Sequence, residues 1–132
     1  MSNISINGST PNLENHFLQE LITLEHWSNG IKQEDANVVY LKISNSWLRI
    51  YFDYEILFFR ESKKPSVDTC DKTLLLKNWG KKLHIKDKKI ISFEIRTIAE
   101  GVEFKLSFSN KKTFIVQSVN DLTTVVISDE IN

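Results

Sequence analysis

The stretch Ser46–Glu61, SWLRIYFDYEILFFRE, crowds aromatic and aliphatic side chains into a run without glycine or proline. That many rings must find a core, and the spacing suits strands. In WLRIYF, Leu48, Ile50 and Phe52 fall on one face, with Trp47, Arg49 and Tyr51 on the other. In YEILFFR, Ile56 and Phe58 alternate with Leu57 and Phe59, which predicts a strand buried on both faces, central in a sheet or covered by a helix. Asp53-Tyr54 is the turn between them. Upstream, Val39, Leu41 and Ile43 share a face, and Ser44-Asn45-Ser46 closes a tight turn.

The chain before this hairpin reads differently. Residues 1–9 are polar and loose in expectation. Thr10-Pro11 has the form of a helix start, with Thr10 as N-cap and Pro11 in the first helical position. Leu13, Phe17, Leu21, Leu24, Ser28 and Ile31 then recur at helical spacing, and Asn29-Gly30 offers a left-handed stop. The spacing predicts an amphipathic helix with one face on a core. After the hairpin, residues 62–73 read as a loop and LLLKNWGKK as a short helix or strand. LHIK and KIISFEIRTI flank Asp87-Lys88 as a hairpin. VEFKLSF, TFIVQSV and TTVVIS are strands separated by turns at 109–111 and 120–121. The expected fold is α+β: an N-terminal amphipathic helix packed on a mostly antiparallel sheet of about seven strands, in a single domain spanning 1–132.

Composition narrows the function. The net charge is zero, which argues against a strongly basic nucleic-acid binder. The lone Cys70 cannot form an internal disulfide, and Asp68 and Asp71 beside it would oppose a thiolate. No signal peptide is evident, and no apolar run approaches ~20 residues, so a cytoplasmic protein without a membrane span is expected. His16 and His26 lie ten residues apart, which does not suit two metal ligands on one helix face, and His84 is remote. No phosphate loop or nucleophile motif occurs. No cofactor, metal or catalytic residue is assigned, and a non-enzymatic protein is expected.

Charge is unevenly spread. Residues 1–61 hold eight acids and four bases; residues 62–132 hold nine acids and thirteen bases. The first half therefore offers an acidic surface for a basic partner. The Lys63–Lys89 tract offers lysines for phosphate, but only Trp79 interleaves with them, so nucleic acid ranks below protein. The Trp47–Arg49–Tyr51 row has the composition of a binding hot spot, unless a second layer, such as residues 74–79, covers it.

With its size, leading helix, antiparallel sheet and SWLRIYFDYEILFFRE hairpin, the chain resembles small bacterial immunity proteins of polymorphic toxin and contact-dependent inhibition systems. The resemblance implies a protein that binds a cognate toxin domain, in many systems a basic nuclease, and blocks it without chemistry of its own. The expected partner-binding residues are Glu14, Glu20 and Glu25 on the helix, with Trp47, Arg49, Tyr51, Asp53 and Glu55 on the hairpin. Two rivals stand beside this expectation. One is a ligand- or nucleic-acid-binding β-rich module using Lys81, Lys82, Lys86, Lys88 and Lys89. The other is a small enzyme with dispersed catalytic residues. A monomer or a homodimer built through an exposed edge strand fits the same sequence.

Overall fold

A computed structural model describes residues 5–54, 56–66 and 73–129. The fold is nearly all β. Strands run over Ser5–Asn7 (β1), Glu20–Ser28 (β2), Ile31–Ile43 (β3), Ser46–Asp53 (β4), Ile56–Ser62 (β5), Leu74–Asn78 (β6), Ile90–Ile98 (β7), Gly101–Phe108 (β8), Lys112–Val119 (β9) and Leu122–Asp129 (β10). The one helix among the described residues, α1, is a single turn at Trp79–Lys82. A six-stranded sheet has the order β1-β5-β4-β3-β2-β6, and a four-stranded sheet the order β10-β9-β8-β7. Every pairing is antiparallel except β1 on β5.

The predicted N-terminal helix is absent, so the α+β expectation is corrected to two packed sheets. Its central residues form β2, which is bonded to β3 on one side and β6 on the other. Residues 21–25 are buried without a break, because Leu21, Thr23 and Glu25 face the other sheet while Ile22 and Leu24 are covered on the opposite face. A strand buried on both faces loses its alternation, and the remaining apolar spacing imitates a helix. Two local features also oppose a helix. Asn15 is left-handed at φ 68°, and Asn29-Gly30 (φ 52° and 76°) is the two-residue turn joining β2 to β3.

Other expectations shift as well. Ser5–Asn7, in the polar lead, pairs with Ile56–Phe58. LHIK forms no strand; only Ile90–Ile98 of that predicted hairpin does. β5 is buried on one face, with Leu57 and Phe59 inward and Ile56 and Phe58 half-exposed. The strands expected at 39–43, 47–52, 102–108, 113–119 and 123–128 are present, most of them a residue or so longer, and so are the turns at 44–45 and 120–121, where both central residues have positive φ.

The sheets pack face to face through aromatic rings. Phe52 meets Phe104 at 5.9 Å, Phe59 meets Phe93 at 6.1 Å and Trp79 meets Phe114 at 5.4 Å between ring centroids. Trp79 reaches the core from α1, and its Nε1 donates to Thr23 Oγ1 at 2.7 Å. Along one side of the sandwich the long β3 leans onto β10. There the Val125 amide donates to Asp35 Oδ2 at 3.0 Å, and the Thr123 amide bonds to Glu34.

Phe104 is fully buried between the sheets. Phe104→Ala is expected to cost about 3–5 kcal/mol in chemical denaturation, a large share of the total for a domain of this size. Asp35 gives a pH signature. Partial burial pushes its pKa up, but the Val125 amide and the Lys32 ammonium at 2.9 Å outweigh this and hold it below the usual value. A lowered folded pKa stabilises above the ordinary aspartate range and stops doing so as pH falls through the folded value. Asp35→Ala should therefore cost about 1.5–3 kcal/mol at pH 7. The gap to the native protein should close on acidification, measured by denaturation at a series of pH values.

Candidate functional site

Because paired residues share a face, the registers define the outer surface of the six-stranded sheet. One row is Glu20, Lys42, Trp47 and Ser62; the next is Ile22, Tyr40, Arg49 and Arg60; a third is Tyr51, Phe58 and Asn7. The alternate residues, Leu21, Leu41, Val39, Ile50 and Phe59, point into the core. Trp47, Arg49 and Tyr51 thus project together onto the outer face. β6, expected as their cover, instead extends the sheet beyond β2. Tyr40 and the exposed Arg49, together with residues 61–66 leaving β5, line an open groove of about 570 Å³.

The central feature is a pair of stacked rings. Tyr51 and Phe58 are cross-strand partners with centroids 4.9 Å apart and planes within 1° of parallel. That distance matches the spacing between neighbouring strands, so the rings stack along the hydrogen-bonding direction and stand on edge on the sheet. Arg49 lies over the Tyr51 ring at 5.9 Å and Arg60 over Phe58 at 5.3 Å. Lys42 lies 5.8 Å over Trp47. The ring faces are largely occupied within the molecule, leaving ring edges and cations for a neighbour.

Arg49 and Arg60 sit directly opposite each other. Like charges in that relation are destabilising. Arg60 is anchored: its Nη1 donates to the Phe59 and Asn7 carbonyls at 2.8 and 3.0 Å, and its Nη2 to Asn7 Oδ1. Among the described residues, no carboxylate lies within ion-pair distance of either guanidinium. Lys63 and Lys64 add charge beside the groove.

The acids fare differently from expectation. Without the helix, Glu14, Glu20 and Glu25 do not share a face. Glu14 is exposed in the irregular chain before β2. Glu20 begins the Trp47 row, with Lys42 Nζ 4.0 Å away. Glu25 faces inward at 8% exposure, where it accepts from Trp27 Nε1 at 3.2 Å and lies 3.7 Å from Lys32 and 4.0 Å from Lys77. Its carboxylate is engaged within the molecule. Asp53 is exposed at the end of β4; Glu55 and Cys70 lie outside the described residues. The outer face is therefore cationic and aromatic, where an acidic surface was expected. Lys42, Tyr40, Phe58 and Arg60 were missed as members of it. Their signal was the two-residue alternation on β3 and β5, which assigns a face only once the pairing is known.

The rival residues are scattered. Lys77 and Lys82 lie over the Trp79 ring at 4.3 and 5.2 Å, and Lys89 over Phe17 at 5.8 Å. His84 is exposed at a left-handed position. His16, with Asn15, Phe17, Gln19, Ser44 and Asp87, lines a shallow cleft of about 360 Å³. A second cleft of about 280 Å³ gathers Glu34, Asp53 and Asp121, and burial pushes Glu34 above the usual carboxylate range. Among the described residues no three His, Cys, Asp or Glu side chains group as a metal site, and no helix is long and apolar enough to cross a membrane. Comparison with protein-family models, with curated proteins and with solved structures found no match for this chain.

Proposed function

We propose that this is a protein-binding module of the immunity type, which neutralises a toxin domain by docking the outer face of its six-stranded sheet. The observation that carries this reading is the Arg49–Arg60 pair above the Tyr51–Phe58 stack. Two guanidinium groups held opposite each other, with no carboxylate in ion-pair distance among the described residues, tax the fold, and an anionic partner would relieve that repulsion. Trp47, Tyr51 and Arg49 are the residue types that dominate binding energy at protein interfaces. The charge of the face selects the partner. Among the described residues of the face and its groove, Lys42, Arg49, Arg60, Lys63 and Lys64 outnumber Glu20, Asp53 and Glu61, so the docking surface on the toxin is acidic. This reverses the expectation of an acidic shield against a basic nuclease.

Single-stranded nucleic acid is a second reading, because here arginine and aromatic residues do interleave. Base stacking needs open ring faces, however, and the mutual stacking of Tyr51 and Phe58 removes two of them.

Arg49→Glu tests the proposal with two readouts. It replaces a repulsive cross-strand pair by an attractive one with Arg60, so the isolated protein should gain roughly 0.2–1 kcal/mol in denaturation. The same change should weaken a complex with the toxin domain encoded beside its gene at least ~30-fold by calorimetry and abolish rescue of cells expressing that toxin. Trp47→Ala should weaken the complex similarly. If the native protein neither binds nor protects against that toxin, the immunity reading is wrong. If RNA or DNA binds with a steep salt dependence that Arg49→Glu removes, the nucleic-acid reading replaces it.

A further inference from the structure

Two sheets have four edges, and three of them are guarded. β1 is three residues long, and Arg60 bonds its Asn7 carbonyl and side chain. On β6, Lys77 pairs with Thr23 and so turns its charge inward, over the Trp79 ring. On β10, the Thr123 and Val125 amides are taken by Glu34 and Asp35. Short strands, inward charges and covering side chains are the usual protections against strand addition.

The edge of β7 carries a bulge and two exposed charges, Glu94 and Arg96, but among the described residues no covering strand or inward charge along most of its length. Its first residue is occupied: Asn15 donates to the Ile90 carbonyl at 2.8 Å, and the Ile90 amide to the His16 carbonyl at 2.8 Å. A bulge follows at Ile91, which is half-exposed. From Ser92 to Ile98 no strand pairs with this edge among the described residues. The segment holds no lysine and no proline.

The layer above extends past this edge. Phe59 of β5 packs on Phe93 of β7, and Phe52 of β4 on Phe104 of β8, so β5 stands over β7. β1 lies one strand farther out, and among the described residues no strand lies in the lane beneath it beyond the Leu13–His16 segment at the Ile90 end. Ile6 shares the inner face with Leu57 and remains 41% exposed there. Phe93 and Ile95 are only partly buried, whereas their neighbours Leu106 and Phe104 on β8 are fully buried. The lane has an apolar ceiling, an apolar wall and an unpaired backbone.

We infer that the Ser92–Ile98 edge of β7 takes up one extended, antiparallel segment of a partner protein, completing the four-stranded sheet beneath β1. This site is separate from the outer face of the six-stranded sheet. The overhang selects the occupant: a lone strand fits beneath β1, whereas a second copy would drive its own six-stranded sheet into β1. Charge sets the pattern. Glu94 and Arg96 are exposed on β7; Glu103 engages only the Nε of Arg96, leaving the other guanidinium donors. A matching strand carries a carboxylate opposite Arg96, an aliphatic residue opposite Ile95 and a cation opposite Glu94.

The test titrates the ¹⁵N-labelled full chain with the peptide Thr-Val-Glu-Ile-Lys-Val-Thr. Amide shifts and slowed hydrogen exchange confined to residues 92–98 and their neighbours are expected. The charge-swapped peptide Thr-Val-Lys-Ile-Glu-Val-Thr should bind roughly tenfold more weakly. Glu94→Lys should prefer Thr-Val-Glu-Ile-Glu-Val-Thr over the first peptide. Ile6→Lys, at a half-exposed position that tolerates charge, should fold normally and lose binding. The inference is overturned by unchanged spectra at millimolar peptide, by equal binding of both charge patterns, or by shifts that map elsewhere. It is equally overturned if residues 92–98 become protected with rising protein concentration and no peptide, since a second copy would then hold the edge.

Discussion

The contact between two aromatic layers organises this protein. Phe52, Phe59 and Trp79 approach from one side, and Phe93, Phe104 and Phe114 from the other. Neither sheet covers its own inner face, and antiparallel sheets of this kind need a second layer to be stable. The pairing of strands follows from this need. A slip of one residue in β4 would turn Ile50 outward and Arg49 inward, so burial of one face enforces the register of the whole meander. The left-handed residues at the hairpin turns make that register reachable locally.

Several buried or half-buried polar groups are paired within the molecule. Glu25 is shared between Lys32 and Lys77; Glu103 accepts from Arg96 and Gln117; Asp35 takes the Val125 amide. These carboxylates serve the architecture. The outer face of the larger sheet has no such duty, since its residues contribute little to holding the two layers together. The cross-strand Arg49–Arg60 pair lies on that face.

The strand around Leu48–Phe52 was legible because apolar residues alternate with Trp47, Arg49 and Tyr51, and Val102–Phe108 because the residues alternating with its apolar ones, Glu103, Lys105 and Ser107, are polar even where they are buried. ELITLEHWS was not legible, because burial on both faces erased the alternation and left a helix-like spacing. Asn29-Gly30 misled for a related reason: the same left-handed geometry ends helices and closes hairpins, and only the partner strand distinguishes them. At the candidate site, Trp47, Arg49 and Tyr51 were identified as one row from their spacing alone. Lys42, Phe58 and Arg60 join them through pairing between strands, a relation that the order of residues does not carry. The acids of the first half do not gather on one face: Glu25 is turned inward, Glu34 and Asp35 engage β10, and Glu14 lies before β2.

The order of the elements has a consequence for biosynthesis. β2 to β5 form one uninterrupted meander and β7 to β10 another, so each sheet is the product of one contiguous stretch of chain. During translation the first meander leaves the ribosome before the second does. Its apolar inner face stays uncovered until the strands carrying Phe93, Phe104 and Phe114 have emerged as well. The nascent chain is most vulnerable to aggregation in that interval, and slower elongation across the second half would lengthen it.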